Sequence, residues 1–277
     1  MDLYLQTCIK TSRIFTNKYS NSFSRGISML DKKFRAPVYA VYGFVRIADE
    51  IVDTFHDHEK SLLLERYTEE TYDSIERGLS TNPVLHSFQW VVNEYGIDRE
   101  LIDAFFESMT MDLQPARHDK GTYDEYIYGS AEVVGLMCLK IFYRDEPQKY
   151  DELKKYACKL GEAFQKVNFL RDISDDLNER GRVYFPGLNP ENFSKELKER
   201  IEKDIEQAFL DSRPGIKALK REARFGVYLA YRYYYRLYRI IHRTDIDTLM
   251  SKRMSVSPAA KLGLLLTAYV RNRFRMI

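Results

Sequence analysis

Asp49 and Asp53 stand four residues apart in the stretch Arg46-Ile-Ala-Asp-Glu-Ile-Val-Asp. On a helix that spacing puts both carboxylates on one face, with Arg46 one turn earlier. Asn168, Asp172 and Asp176 repeat the arrangement at i, i+4 and i+8, with Arg171 beside Asp172. Gln165 falls within about 60° of Asn168 on the helical wheel. A single pair of this kind is also what a solvated helix face carries. Here both sets are embedded in apolar sequence: residues 41–45 and Ile51-Val52 around the first, Phe169-Leu170 and Ile173 around the second. Like charges at i, i+4 repel by a few tenths of a kcal/mol, a cost that a bound divalent cation turns into attraction. Oxygen donors without His or Cys suit a hard ion, Mg²⁺ with Mn²⁺ as the alternative, which joins one or two carboxylates to substrate phosphate. The two clusters therefore predict a diphosphate site in which the metal neutralises the leaving group and Arg46 and Arg171 hold its oxygens. A structural ion pair is the other use for each arginine.

The elements that must position these residues are helical. Apolar positions recur at three- and four-residue spacing over residues 35–55, 57–78, 83–95, 98–113 and 123–142. A long helix is predicted over 147–179, followed by 194–211, 214–243 and 258–276. Pro83, Pro147, Pro214 and Pro258 each fall where a first helical turn accepts proline. No alternating run is long enough for a sheet, and no fixed-period repeat or long linker divides the chain. The expected fold is all-α, a single helical domain over residues 1–277.

Composition agrees. The 277 residues carry 43 Lys+Arg against 41 Asp+Glu, a net charge of +2, which argues against a general nucleic-acid binder. With 44% hydrophobic residues the chain is not disordered, and 13 Gly and 8 Pro are too few for a many-stranded β protein. Aromatics are in surplus, at 21 Tyr, 16 Phe and 1 Trp. Cys8, Cys138 and Cys158 show no metal or disulfide spacing, so a reducing cytoplasm is the expected compartment. No signal peptide is evident, and no window approaches 18 consecutive apolar residues. The densest aromatic and basic segment is residues 228–243, YLAYRYYYRLYRIIHR. It reads as a core stripe with snorkelling arginines, or as a surface for peripheral docking on anionic lipid at the inner face of the membrane.

Three blocks narrow the reading: Arg46-Ile-Ala-Asp-Glu-Ile-Val-Asp, Tyr126-Ile-Tyr-Gly-Ser-Ala-Glu-Val-Val-Gly135, and Asn168-Phe-Leu-Arg-Asp-Ile-Ser-Asp-Asp-Leu with its continuation Arg180-Gly-Arg-Val-Tyr-Phe-Pro186. In order and spacing they resemble the signature blocks of the squalene/phytoene synthase family, and the resemblance spans residues 22–261. It implies an isoprenoid-synthase bundle with a central cavity that joins two prenyl diphosphates head to head through a cyclopropylcarbinyl diphosphate. By the same resemblance, Asp49 and Asp53 bind Mg²⁺ and one diphosphate, while Asp172 and Asp176 serve the other with Asn168 and Gln165 nearby. Tyr42 and Tyr128 are placed near the diphosphate or the reacting carbons, with buried packing as the alternative. Phe23, in Asn21-Ser-Phe-Ser, matches an early flap-region aromatic. Tyr238, Arg253 and Lys261 fall where the family has a tyrosine and basic residues near diphosphate, in the region of loosest alignment, where a solvated basic face is the alternative.

The chemistry asks for the same residue types. An ionised allylic diphosphate is a carbocation, which needs an apolar site with aromatic faces and no water. Ala131, Val134, Gly135 and Leu139 offer such a wall, and Gly135 and Gly161 offer room for a chain beside a helix backbone; helix packing asks for the same residues. The expected reaction is condensation of two geranylgeranyl diphosphates to phytoene, because the length and the lack of a C-terminal anchor resemble bacterial phytoene synthases. Dehydrosqualene or squalene formation from farnesyl diphosphate is the runner-up. The absence of a Gly-rich dinucleotide fingerprint leans against NADPH. A terpene cyclase or chain-elongating enzyme would resemble DDxxD rather than DxxxD. A non-catalytic assembly factor would have lost motif residues that this chain keeps. Oligomeric state is not legible.

Overall fold

A computed structural model of the chain describes residues 1–113, 119–177, 181–188 and 193–273. In chain order the helices are α1 (Leu3–Tyr19), α2 (Asn21–Ser28), α3 (Lys32–Asp53), α4 (Lys60–Arg77), α5 (Pro83–Tyr95), α6 (Arg99–Met111) and α7 (Lys120–Ile127). A π-helical turn (Tyr128–Glu132) leads into α8 (Val133–Phe142). Then follow α9 (Pro147–Asp175), α10 (Lys195–Ala218), α11 (Arg221–His242), α12 (Ile246–Ser251) and α13 (Pro258–Arg273). Among the described residues there is no β-strand. Arg180, at the head of the third block's continuation, and Met276, at the predicted end of the last helix, lie outside the described residues.

Pro83 and Pro147 open α5 and α9, where the missing N–H is an orphan in any case. Pro214 does not open a helix. It lies inside α10, and the break comes instead at Leu219 and Lys220, whose backbones are extended. The proline removes the hydrogen bond to the carbonyl of Leu210, an exposed residue whose oxygen water can satisfy. α10 continues through it, packed on α9 where Gly215 meets Tyr156. The break is pinned by Arg224, which donates to the Leu219 carbonyl at 2.6 and 2.9 Å, and by the Lys220 N–H, which donates to the Tyr143 hydroxyl at 2.7 Å.

The buried apolar side chains form two clusters. One is built around α3, α5, α6 and α8, with Phe44 stacked on Phe88 at 3.8 Å. The other is built around α9, α10 and α11, with Phe209 and Tyr233 at its centre. Between them lies a cavity of about 570 Å³ whose walls draw on both clusters. Glycines let the helices around it approach closely. A Cβ on Gly161 would sit 2.7 Å from the Ala131 carbonyl oxygen, and one on Gly226 would sit 2.6 Å from that of Gly26. Gly135 faces the Ala157 carbonyl in the same way. Both Gly135 and Gly161 line the cavity, but the space they free is used first by a neighbouring helix backbone.

Candidate active site

α3 and α9 each turn one stripe toward the cavity, and each stripe grades from apolar to acidic along the chain. On α3 it runs Val38, Val41, Tyr42, Val45, Arg46, Asp49, Asp53, a rise of about 22 Å at 1.5 Å per residue. On α9 it runs Leu153, Ala157, Leu160, Phe164, Asn168, Asp172, Asp176. The segment after α9 brings the two acidic ends together. The Arg182 backbone N–H donates to the Asp176 carbonyl at 2.9 Å, while its guanidinium donates to Asp53 Oδ1 at 2.6 Å. The carboxylates therefore face each other across one mouth, above one apolar chamber.

On the α3 side Asp49 keeps 34% of its side-chain surface because it faces the cavity rather than packed atoms. Burial in that recess raises its pKa to about 7; Arg46 opposes this, and Asp53 and Asp112 reinforce it. Arg46 pairs with Glu50, stands 3.8 Å from Asp49, and lies over the Tyr19 ring at 4.3 Å. Its Nε is buried without a hydrogen-bond partner.

On the α9 side Asp172 is gripped by two arginines. Arg171 donates through Nε at 2.8 Å and through Nη2, and Arg253 donates through Nε at 2.6 Å. Burial pushes the Asp172 carboxyl up, but the two guanidiniums outweigh it and hold its pKa below the ordinary carboxylate value. Asn168 donates to Gln165 Oε1 at 3.3 Å, while its own Oδ1 is buried with no partner. Phe23, Tyr42, Phe164 and Tyr234 form an aromatic wall beside these groups, with Phe164 and Tyr234 stacked at 4.1 Å. The Ser20 hydroxyl caps α2 by accepting from the Phe23 N–H, which fixes Phe23 at the wall.

Of the residues expected from sequence, Phe23, Tyr42, Arg46, Asp49, Asp53, Gln165, Asn168, Arg171, Asp172, Asp176 and Arg253 all line this one cavity, as do Ala131, Val134, Gly135 and Leu139. Tyr128 does not. It opens the π-helical turn and is 40% exposed. Tyr126 and Ser130 line the cavity, and two residues on a helix turn through about 200°, so Tyr128 points away. Tyr238 is also outside the cavity: it is buried against Phe209 and donates to the Glu202 carbonyl at 3.2 Å. Along α11 the cavity face is Gly226, Val227, Ala230 and Tyr234; Tyr238 lies one turn past its end. Lys261 does not line the cavity. Burial, together with the charges of Arg25 and Arg171, lowers its pKa.

A buried network was missed from sequence. Arg182 donates to the carbonyls of Val52 at 3.1 Å and Asp112 at 2.6 Å as well as to Asp53. Asp112 accepts from the hydroxyls of Tyr126 at 2.6 Å and Tyr184 at 2.9 Å. Burial raises the Asp112 pKa to about 6, with Arg182 pulling against it. Arg182 and Tyr184 stand in the Arg180–Pro186 stretch and Tyr126 in the second block, so three of the four were within quoted motifs. Phe164 was findable from phase, four residues before Asn168. Asp112 carried no local signal.

Among the described residues at the mouth the groups able to ligate a cation are carboxylate and amide oxygens, and the orphaned Asn168 Oδ1 is an acceptor that a hard cation fits. Among the described residues no three His, Cys, Asp or Glu side chains converge on one point. An ion held here would take the rest of its shell from water or substrate oxygens, as Mg²⁺ habitually does.

An all-helical bundle around one deep apolar cavity, acidic and basic at its mouth, defines an isoprenoid-synthase-type protein. The family model for squalene/phytoene synthase matches residues 16–260, and the chain belongs to that family. It is similar to the 4,4'-diapophytoene synthase of Staphylococcus haemolyticus, 28% identical over 195 residues, a match covering 67% of this chain and 65% of that relative's length. To the phytoene synthase of Arthrospira platensis it is 27% identical over 289 residues, covering 94% of this chain and 92% of the relative. In fold it is similar to the crystal structure of a dehydrosqualene synthase in complex with ligand, with a TM-score of 0.82 and 22% identity over 97% of this chain and 98% of that one.

Proposed function

We propose that the protein condenses two prenyl diphosphates head to head through a cyclopropylcarbinyl diphosphate, with two geranylgeranyl diphosphates giving phytoene. The observation that carries this reading is the meeting of two acidic helix faces across one mouth above a single apolar chamber. Asp49 and Asp53 would hold Mg²⁺ or Mn²⁺ on one side, and Asp172, Asp176 and Asn168 would do so on the other. When bound, the metal supplies charge neutralisation for the departing diphosphate.

The chain's own groups do the rest. Arg171 and Arg253, which grip Asp172, are placed to exchange that carboxylate for diphosphate oxygens. Arg46 contributes its unpartnered Nε on the other side. The C–O bond breaks with its electrons leaving on the diphosphate, and the allylic cation left behind faces Phe23, Tyr42, Phe164 and Tyr234, whose ring faces stabilise positive charge. Cys138, on the cavity wall, has its thiol pKa pushed up to about 12 by burial, so it offers no thiolate to trap the cation. No reductant is required for phytoene.

A second reading, farnesyl diphosphate giving dehydrosqualene or squalene, is favoured by the likeness to the diapophytoene synthase. Purified protein incubated with Mg²⁺ and either diphosphate, with and without NADPH, followed by identification of the hydrocarbon, separates the two. Asp49→Ala and Asp172→Ala should each abolish turnover while keeping the helical circular dichroism. Product formation by either variant would refute the site.

A further inference from the structure

We propose that Tyr19, the last residue of α1, is a positioning residue that holds the Arg46 guanidinium for the diphosphate; the inference rests on the diphosphate site proposed above. Arg46 is held from three directions. Glu50 takes its Nη2 edge, Asp49 stands 3.8 Å from Nη1, and the Tyr19 ring lies against the guanidinium plane with its centroid 4.3 Å from Cζ. The two carboxylates come from the same helix as Arg46 and hold one edge of the fork, about which the plane can still swing. An aromatic face laid on the plane removes that freedom and attracts the charge. Nε, the donor left without a partner, is thereby kept in one orientation. The ring also takes water off one face of the guanidinium, and an arginine–phosphate interaction strengthens as the local dielectric falls.

The packing of α1 sets this contact. α1 lies against α3 at Gly43, where an added Cβ would sit 2.7 Å from the Ser12 hydroxyl oxygen. Ser12 is also tied to α5 by a 2.8 Å hydrogen bond between its hydroxyl and that of Ser87. Tyr19 follows Ser12 by seven residues, about two turns, and shares its face of α1. Arg46 follows Gly43 by three and shares its face of α3. The approach that brings the two helices together therefore brings ring and guanidinium together. Phe15, one turn earlier on α1, stacks on Tyr19 with the ring planes 8° apart. Tyr19 lines the mouth and is 48% exposed. Substitution of so exposed a side chain has little effect on folding, so its effect on Arg46 is separable from stability.

The test is a titration of the full chain, labelled with ¹⁵N-arginine, with inorganic pyrophosphate in the presence of Mg²⁺. It is read at the Arg46 Nε–H resonance, which Arg46→Lys assigns by its loss. In the wild type that resonance should move with pyrophosphate. Tyr19→Leu should raise its midpoint about three- to tenfold, while the Arg171 resonance, assigned through Arg171→Lys, keeps its own midpoint. Tyr19→Phe, which retains the ring, should restore the wild-type midpoint to within about twofold. Thermal melting of Tyr19→Leu should match the wild type, and Tyr19→Gln, which adds no exposed apolar surface, gives the same comparison if the leucine variant folds poorly. An unchanged Arg46 midpoint without the ring, an equal loss in Tyr19→Phe, or the same rise at Arg171 overturns the inference and leaves the diphosphate site standing. An Arg46 resonance that ignores pyrophosphate in the wild type overturns both.

Discussion

Arg182→Met removes a guanidinium that is 7% exposed and holds Asp53, Asp112 and two backbone carbonyls, while keeping most of its apolar stem. The cost is set by what is left behind. Asp112, also 7% exposed, keeps only the Tyr126 and Tyr184 hydroxyls. With Arg182 present its pKa already stands at about 6 against an ordinary 3.8, so its ionised form costs about 3 kcal/mol. Stripping one partner from a buried pair costs about 3–5 kcal/mol, a large part of an ordinary domain's 5–15 kcal/mol or so. The pH dependence has a definite sign. Folded Asp112 keeps its proton to higher pH than the unfolded chain does, so its contribution to stability falls as pH rises from about 4 to about 6 and then levels, while Asp49 adds a fall of the same sign up to about pH 7. Without Arg182 the folded pKa moves further up and the fall continues to higher pH. Denaturant unfolding of metal-free protein should therefore show a smaller cost for Arg182→Met at about pH 5 than at about pH 8, and Arg182→Met/Asp112→Asn should recover much of it. Equal costs at both pH values, a total loss below about 1 kcal/mol, or strict additivity in the double variant would refute the reasoning.

Tyr126→Phe strips a hydroxyl from Asp112 and should cost about 1–3 kcal/mol with a measurable loss of turnover, whereas Tyr128→Phe should leave stability within about 0.5 kcal/mol and rate unchanged; unfolding midpoints and steady-state rates check both. Phe142→Ala opens the cavity at the end far from the carboxylates, where Phe142 packs on Phe34 with ring centroids 5.1 Å apart. It should lower stability by about 3–5 kcal/mol and shift product identity toward the longer prenyl donor in competition between farnesyl and geranylgeranyl diphosphate, read by mass spectrometry.

Much of this molecule is legible in one dimension. The 3.6-residue period that makes a helix amphipathic also sets which carboxylates share a face, so Asp49 with Asp53, and Asn168 with Asp172 and Asp176, were readable together with α3 and α9. The limits appear where neighbours decide. α1, α2 and α12 lie outside the helices expected from periodicity, and α10 runs through Pro214 where it packs on α9. Tyr128 and Tyr126 differ by two positions, and only the facing of the π-helical turn selects Tyr126. The six tyrosines of α11 are alike in sequence, and only the packing of the helix puts Tyr234 on the cavity wall.

The sequence alone determined the helical class, the two acidic faces and the arginines beside them, because these depend on local periodicity and residue chemistry. Tertiary structure decided which groups meet. Arg182 joins Asp53 to Asp176, and Asp112, far from every motif, acquires its role by burial beneath them. The aromatic surplus divides between core and cavity wall according to which rings the two clusters leave facing the space between them. Those outcomes come from long-range packing and desolvation, which no local spacing encodes.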